Sequence, residues 1–287
     1  MKRLSDIGTI KEILSKHGFT FSKALGQNFL VNPSVCPRMA ELSGAGRGVG
    51  VIEVGPGIGV LTNELCGLAD KVVAIELDKR LLPVLDETLE EYDNIKVVNA
   101  DVLELDLHTL IAEEFQGMEV VVCANLPYYI TSPVIMKLLE DRLPISSVTV
   151  MVQKEAAQRI CAKVGSRESG AVTVSVNYYA EPELLFGVSA GSFMPAPKVD
   201  SAVLRLNIRK EPPVKTDEAA FFKVIKAAFS QRRKVLSNSL SAGLGIDKAK
   251  ASLILEKAGV AANARAEQLS LEDFAAIANQ LNGGKAK

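Results

Sequence analysis

Apolar residues recur along this chain at two spacings, and the change from one to the other marks out its elements. Short β-branched runs at 51–54, 71–76, 95–99, 119–124 and 146–152, bounded by Gly, Asp or Asn, predict strands buried on both faces. Between them, 59–68, 79–90, 131–141 and 153–163 place apolar residues at helical spacing, as Ile58, Leu61 and Leu65 do. Pro83 predicts that the second of these helices starts later than its Asp78 cap. Repeated strand–helix units predict a parallel sheet covered on both faces. Upstream, residues 1–20 predict a short amphipathic helix (Ile7, Ile10, Ile13, Leu14) ending at Gly18. An irregular segment over 19–32, a helix from Pro33 to Leu42 and a loop over 44–50 follow.

After Gly170 the alternation stops. Residues 172–179 and 203–208 read as strands with no long helix between them, an antiparallel pair closing one sheet edge. Glu211-Pro212-Pro213 marks a boundary. Beyond it, 217–229, 232–241, 247–258 and 270–281 predict short helices, and 283–287 a disordered end. The expectation is an α/β domain over 1–210 and a small all-α domain over 211–287.

Composition narrows the class. With 48% hydrophobic residues the chain can bury a substantial core. It holds no apolar run near the ~18 residues a membrane-spanning helix needs. The first 16 residues show no apolar stretch of the secretory kind, so a cytoplasmic protein is expected. Cys36, Cys66, Cys123 and Cys161 are far apart and read as buried or incidental thiols. The two histidines, His17 and His108, stand near no other candidate ligand, so no metal site is expected. Net charge is −1, but its distribution is uneven. Residues 70–119 carry 14 acidic and 4 basic side chains, whereas 198–234 carry 10 basic and 4 acidic. An acidic face and a separate basic face allow local binding of a polyanion.

The candidate chemistry starts at Val51-Ile-Glu-Val-Gly-Pro-Gly-Ile-Gly59, a strand, a glycine turn and a helix start. A dinucleotide fingerprint needs G-x-G-x-x-G, but Val60 stands at its third glycine, and Glu53 would repel a pyrophosphate. The E-x-G-x-G-x-G pattern of Glu53, Gly55, Gly57 and Gly59 instead resembles motif I of the S-adenosylmethionine-dependent methyltransferases. That cofactor carries an ammonium and a sulfonium, beside which a carboxylate is tolerable. Glu76 ends the second strand, placed to accept ribose hydroxyls, and Asp101 follows the third, placed to accept from an adenine amino group.

Asn125-Leu-Pro-Tyr128 follows the fourth strand and matches the motif of amino-methyltransferases. An exocyclic amine is a poor nucleophile because its lone pair is delocalised into the ring. The Asn125 side-chain oxygen and a backbone carbonyl, that of Leu126, can each accept one N–H and localise that lone pair. Pro127 rigidifies the turn, and Tyr128 offers a face on which an unstacked base can lie. Phe193-Met-Pro-Ala-Pro-Lys-Val-Asp-Ser201 holds a second aromatic in an extended, proline-stiffened loop.

Lys23-Ala-Leu-Gly-Gln-Asn-Phe-Leu30, Glu53 to Gly59, Glu76-Leu-Asp78, Asp101, Asn125 to Tyr128, Gln153-Lys-Glu155, Phe193 to Ser201 and Phe229-Ser-Gln-Arg-Arg-Lys234 occur in that order. Together they resemble the bacterial small-subunit ribosomal RNA adenine dimethyltransferases across about 20–240. The resemblance implies a Rossmann-like S-adenosylmethionine methyltransferase sheet, mostly parallel with an antiparallel edge, plus a small all-α C-terminal domain. It implies transfer of two methyls to N6 of each of two adjacent adenosines near the 3′ end of 16S rRNA, from four S-adenosylmethionine molecules. It further implies action late in small-subunit assembly, on a pre-assembled particle, with kasugamycin resistance when methylation is lost. By motif position, Gln27, Asn28, Leu30, Glu53, Gly55, Gly57, Gly59, Glu76, Asp101 and Asn125 would hold the cofactor, and Tyr128 and Phe193 would sandwich the adenine.

RNA of this kind is recognised by shape, phosphates and a splayed base. Lys154, Arg159, Lys198, Arg232, Arg233 and Lys234 are the candidate phosphate contacts, with Lys163, Arg167, Lys223 and Lys226 nearby in sequence. The expected partner is the small ribosomal subunit and the expected state a monomer. Two rivals share the core motifs: a 23S rRNA adenine N6-methyltransferase of the macrolide-resistance type, and a ribosome-assembly factor without catalysis. Leu126 and the Gly26-Gln-Asn run favour the small-subunit enzyme over the first. Intact Glu76, Asp101 and Asn125 argue against the second. An NAD-dependent oxidoreductase is disfavoured by Val60 and the Asn-Leu-Pro-Tyr motif.

Overall fold

The computed structural model describes residues 4–20, 27–231, 233–281 and 283. In chain order the elements are α1 (Ile7–Lys16), β1 (Phe29–Leu30), α2 (Val35–Leu42), β2 (Val49–Val54), α3 (Val60–Cys66), β3 (Lys71–Glu76) and α4 (Leu82–Thr88). Next come β4 (Ile95–Asn99), α5 (Leu107–Glu114), β5 (Glu119–Asn125), α6 (Thr131–Glu140), β6 (Ser147–Gln153), α7 (Lys154–Ile160) and α8 (Ala171–Tyr179). The chain continues through β7 (Ala180–Val188), β8 (Phe193–Met194), β9 (Ser201–Ile208), α9 (Glu218–Ala228), α10 (Leu236–Leu244), α11 (Lys248–Lys257) and α12 (Leu271–Leu281).

Contacts gather these elements into two units, Met1–Ala157 with Glu183–Ile208, and Gln158–Pro182 with Arg209–Lys287. The first contains a Rossmann-like sheet of order β4-β3-β2-β5-β6-β9-β7. Strands β2 to β6 run parallel, and β9 pairs antiparallel with β6. Strand order reverses between β2 and β5, so a crevice opens at their carboxyl ends, where ligands bind in such sheets. Val51, Ile52, Val72, Val73, Val121 and Val122 are all buried, which explains their continuous β-branched runs. On one face, Val51, Val72, Val121 and Cys123 pack with Met39 and Ala40 of α2 and Leu61 and Leu65 of α3. Helix α1 is capped by Asp6, whose Oδ1 accepts from Thr9 N–H at 2.9 Å. Its Ile10 and Leu14 pack with Phe29, Ile58, Leu81 and Val84.

Most elements match the apolar pattern, and four differ. Residues 172–179 form α8, not a strand. Gly170 N–H donates to Thr173 Oγ1 at 2.9 Å, and that hydroxyl donates to the Arg159 carbonyl at 2.7 Å, fixing the first turn. The helix is buried on most sides, so tertiary packing overrides its β-branched composition and no amphipathic period shows. The sheet edge is built instead from β7 and β9. Helix α5 was not expected, although Asp106 caps it by accepting from Thr109 N–H at 3.1 Å and Leu107, Leu110 and Ile111 are buried. The helix expected from 232 starts at Leu236, after a 3-10 turn over Phe229–Gln231. That expected from Pro33 starts at Val35. Pro83 does delay its helix: a 3-10 turn over Lys79–Leu81 precedes α4, whose second residue is the proline.

The second unit centres on an aromatic cluster. Tyr178 and Tyr179 of α8 lie 4.8 Å from Phe221 and 5.2 Å from Phe222 respectively, and Phe221 lies 6.4 Å from Phe274 of α12. The Tyr179 hydroxyl donates to Glu218 Oε1 at 2.7 Å. A single break at 210 was expected, and in the structure the contacts of 158–182 are with the C-terminal helices. Lys23 to Gly26, Arg232 and the end from 284 lie outside the described residues. No helix among the described residues is long and apolar enough to cross a membrane.

Candidate active site

Four strand ends converge on one cleft. The turn after β2 supplies Gly55 and Gly57, β3 ends in Glu76, Asp101 follows β4, and β5 ends in Asn125. Gln27, Asn28, Leu30, Glu53, Leu126, Pro127, Tyr128 and Phe193 also line it. The empty space of the cleft, with the solvent at its mouth included, is about 1090 Å³.

Gly55 and Gly57 adopt positive φ of 71° and 62°, and a Cβ at Gly57 would stand 3.2 Å from the Phe29 ring. Backbone can therefore approach both a ligand and that ring. Gly59 does not line the cleft. Its φ is 87°, and a Cβ there would meet Thr88 Oγ1 at 3.1 Å and Leu89 Cδ2 at 3.2 Å. It starts α3 and lets that helix seat against the end of α4. Gly59→Ala is expected to destabilise the protein by about 1–3 kcal/mol in chemical denaturation, with cofactor affinity of the folded protein retained. Lost affinity at unchanged stability would return Gly59 to the cleft.

Glu76 is 6% exposed. Its Oε2 accepts from Gly57 N–H at 3.3 Å and its Oε1 from Asp78 N–H at 2.7 Å. Burial pushes its carboxyl above the ordinary carboxylate range. Asp101 Oδ1 accepts from Leu103 N–H at 2.9 Å. Asp78 draws in the 27–30 segment: Gln27 Nε2 donates to its Oδ2 at 2.9 Å, and Arg80 donates to both oxygens, at 2.8 and 2.6 Å. The Arg80 hydrogen bond leads in holding the Asp78 carboxyl down to about 2.

Glu53 is a buried acid of the cleft with no ion pair among the described residues. It is 1% exposed, and its Oε2 accepts no hydrogen bond from them. Burial raises its carboxyl to about 8, against the Thr62 hydroxyl, which lowers it, and with a smaller push from the Glu76 charge. Cys36 and Cys66 are buried close enough that its charge helps raise both thiols, Cys66 to about 12. A folded-state value above the ordinary 4.5 means that the native protein holds this proton longer than the unfolded chain does. Its contribution to stability is therefore full below about pH 4.5 and is lost as pH rises towards 8. Glu53→Gln removes that loss. Cofactor-free protein carrying it is expected to be more stable than wild type at pH 8.5 and to lose that advantage at pH 5, read by denaturant unfolding.

The Asn-Leu-Pro-Tyr turn and Phe193 are fixed from two directions. Asn125 ends β5 in register with Met151 of β6, whose carbonyl accepts from Leu126 N–H at 3.2 Å. The Tyr128 hydroxyl lies 2.7 Å from Ser201 Oγ. Phe193 is 5% exposed and belongs to the core cluster while lining the cleft. The two-residue strands β1 and β8 pair antiparallel, with Leu30 opposite Phe193. Two segments more than 160 residues apart thus close one wall together. The motifs did not single out Phe29, Leu77, Val102 or Tyr129, yet all line the cleft. Leu77 and Tyr129 are 49% and 53% exposed there. Leu77 and Val102 each follow a strand-end acid, and that adjacency was the available signal.

The candidate phosphate contacts scatter more widely. Lys154 and Lys198 are exposed, and Lys154 N–H donates to the Asp200 carbonyl at 2.9 Å, which places the start of α7 beside the 198–200 loop. Arg159 is half-buried, and Arg233 and Lys234 are exposed in the second unit.

Comparison with known proteins agrees with this geometry. The model of the family described as ribosomal RNA adenine dimethylase matches residues 18–283. Proteins named ribosomal RNA small subunit methyltransferase A are similar throughout. That of Geobacillus sp. (strain WCH70) is 47% identical over 285 residues, covering 98% of each chain. That of Bacillus mycoides (strain KBAB4) is 47% identical over 286 residues with the same coverage. Among solved structures, a dimethyladenosine transferase from Plasmodium falciparum superposes with a TM-score of 0.75 at 26% identity, over 89% of this chain and 98% of that one. The 23S rRNA methyltransferase ErmE superposes at 0.65 with 29% identity, over 89% of this chain and 100% of that one. A glycine turn between strand-end acids, an Asn-Leu-Pro-Tyr turn in the same cleft and a match spanning nearly the whole chain lead to one assignment: the chain belongs to the ribosomal RNA adenine dimethylase family.

Proposed function

We propose that this protein, acting as a monomer on the assembling small ribosomal subunit, transfers methyl groups from S-adenosylmethionine to N6 of two adjacent adenosines near the 3′ end of 16S rRNA. The product is N6,N6-dimethyladenosine. The observation that carries the reading is the meeting of Glu76, Asp101 and the glycine turn with Asn125-Leu-Pro-Tyr128 in one cleft. The 47% identity to small-subunit enzymes over 98% of both chains favours the small subunit over the large-subunit substrate named for ErmE.

The cleft suits the cofactor on its own evidence. Glu53 offers an unmet buried oxygen to an ammonium, and the positive-φ glycines leave room for close approach. When bound, S-adenosylmethionine supplies an electrophilic methyl. Glu76 retains acceptor capacity for ribose hydroxyls beyond its two backbone bonds. Asp101 has a second oxygen that would accept from an adenine amino group, and Leu77 and Val102 would offer apolar surface beside it. On the substrate side, the Asn125 carboxamide oxygen and the Leu126 carbonyl each accept one N–H of the target amine. Its nitrogen then becomes tetrahedral, with the lone pair aimed into the cofactor half of the cleft. No general base is required, because the methylated ammonium is acidic and loses its proton to water. Tyr128 supports the splayed base by stacking, which offsets the few kcal/mol of unstacking.

The testing experiment is methyl transfer from labelled cofactor to undermethylated small subunits and, in parallel, to large-subunit RNA, with the product nucleoside identified by mass spectrometry. N6,N6-dimethyladenosine near the 3′ end of the small-subunit RNA is expected. Label confined to large-subunit RNA overturns the target, and cofactor binding without any label overturns the catalysis. Arg233→Ala is expected to weaken RNA binding and to lower the salt slope of log K by about 0.7–0.9, the share of a single neutralised phosphate. An unchanged slope removes Arg233 from the interface.

A further inference from the structure

We infer that Ser201 is a positioning residue for the base, acting through the hydroxyl of Tyr128. The inference rests on the function proposed above. Ser201 lies 73 residues from Tyr128 in sequence and is fully buried, yet its Oγ stands 2.7 Å from the Tyr128 hydroxyl. Tyr128 is half-buried and lines the cleft just after the Asn-Leu-Pro turn. Strand β5 ends at Asn125 and a 3-10 turn over Tyr128–Ile130 begins with Tyr128 itself, so the ring stands outside the sheet's own ladder. The bond to Ser201 is the tether that ties the far end of the ring to the sheet.

The anchor is rigid. Ser201 opens β9 and pairs with Gln153 at the end of β6. The residue before it is pinned twice: the Asp200 carbonyl accepts from Lys154 N–H at 2.9 Å, and Asp200 Oδ1 accepts from Ala190 N–H at 3.0 Å. The same segment begins at Phe193, the second aromatic of the cleft, held in its β8 pairing with Leu30. The stretch 193–201 therefore fixes both aromatic residues, Phe193 through its backbone and Tyr128 through one side-chain hydrogen bond. A planar base is gripped well only when such faces keep their spacing and tilt. Ser201 sets one of them without touching the base.

The test is a double-mutant cycle of Ser201→Ala and Tyr128→Phe, read as kcat and KM for undermethylated small subunits, with cofactor affinity and thermal stability measured alongside. Each single variant is expected to lose about 3- to 10-fold in kcat/KM for RNA, the range one hydrogen bond spans. The loss falls on the RNA parameters, cofactor affinity is kept, and the double variant loses no more than either single one. Multiplicative losses, wild-type kinetics in either variant, or weakened cofactor binding in parallel with a lower melting temperature would each overturn the inference. Should Ser201→Ala fail to fold, Tyr128→Phe alone removes the same bond while keeping the ring, and its wild-type turnover would be equally decisive. Wild-type protein in the same assay tests the parent reading separately: its failure to label small-subunit RNA sinks the function, whereas the cycle sinks only Ser201.

Discussion

Asn125→Ala is expected to lower methyl transfer to small-subunit RNA by about 10²–10³-fold, the cost of removing one preorganised partner of a reacting group, and to leave cofactor binding largely intact. Asn125 is the last residue of β5, held in register with Met151, and Leu126 N–H is bound to the Met151 carbonyl at 3.2 Å. Truncation at Cβ therefore removes the carboxamide without freeing the turn, and the Leu126 carbonyl stays in place as a single acceptor. One acceptor binds an amine but leaves its lone pair in the ring. The loss should accordingly fall on kcat more than on KM for RNA. Asn125→Asp keeps both an acceptor and the side-chain shape and should retain part of the rate. Single-turnover methylation measures both variants, and normal turnover by Asn125→Ala would remove the amine-orienting role.

Glu76→Ala produces the opposite pattern. In the proposed reading its carboxylate would accept from the ribose hydroxyls, and it already holds Gly57 N–H and Asp78 N–H. Losing it removes charge-assisted hydrogen bonds worth about 1.5–3 kcal/mol each. It also unpairs two backbone donors on the glycine turn. Cofactor affinity is expected to fall at least about 10-fold by calorimetry. Saturating cofactor should restore most of kcat, because the target amine and its acceptors are untouched. An affinity equal to wild type would refute the ribose assignment. A collapse of kcat that added cofactor does not restore would show that Glu76 acts on the reacting amine instead.

Much of the site could be read from the chain because its determinants are local. A strand that ends in an acid, an amide or a glycine turn announces both the element and the group it presents, and four such ends occur in order at Gly55, Glu76, Asp101 and Asn125. Parallel register then brings them to one sheet edge without further information, since Glu53 lies beside Cys123 and Glu76 beside Asn99 in adjacent strands. Gly59 shows the limit of motif reading. It belongs to the same glycine pattern but faces Thr88 and Leu89, because a glycine spared for packing looks the same in sequence as one spared for a ligand. Leu77, Val102 and Tyr129 were overlooked for a related reason: an apolar residue in a loop gains its role from the cavity it borders.

The strand–helix alternation, the parallel core and the chemical groups at the strand ends are all written in local stretches of the chain. Each of these depends on side-chain periodicity or turn chemistry within about ten residues. That 171–179 is helical depends instead on packing against distant parts of the chain. There the gain from burying Val174, Val176, Tyr178 and Tyr179 outweighs a local preference of about 1 kcal/mol or less per residue. The tertiary structure alone joined Leu30 to Phe193 and Tyr128 to Ser201, closing one wall of the cleft. Pairings across such separations depend on where the whole chain places its ends, and no local spacing of residues encodes that.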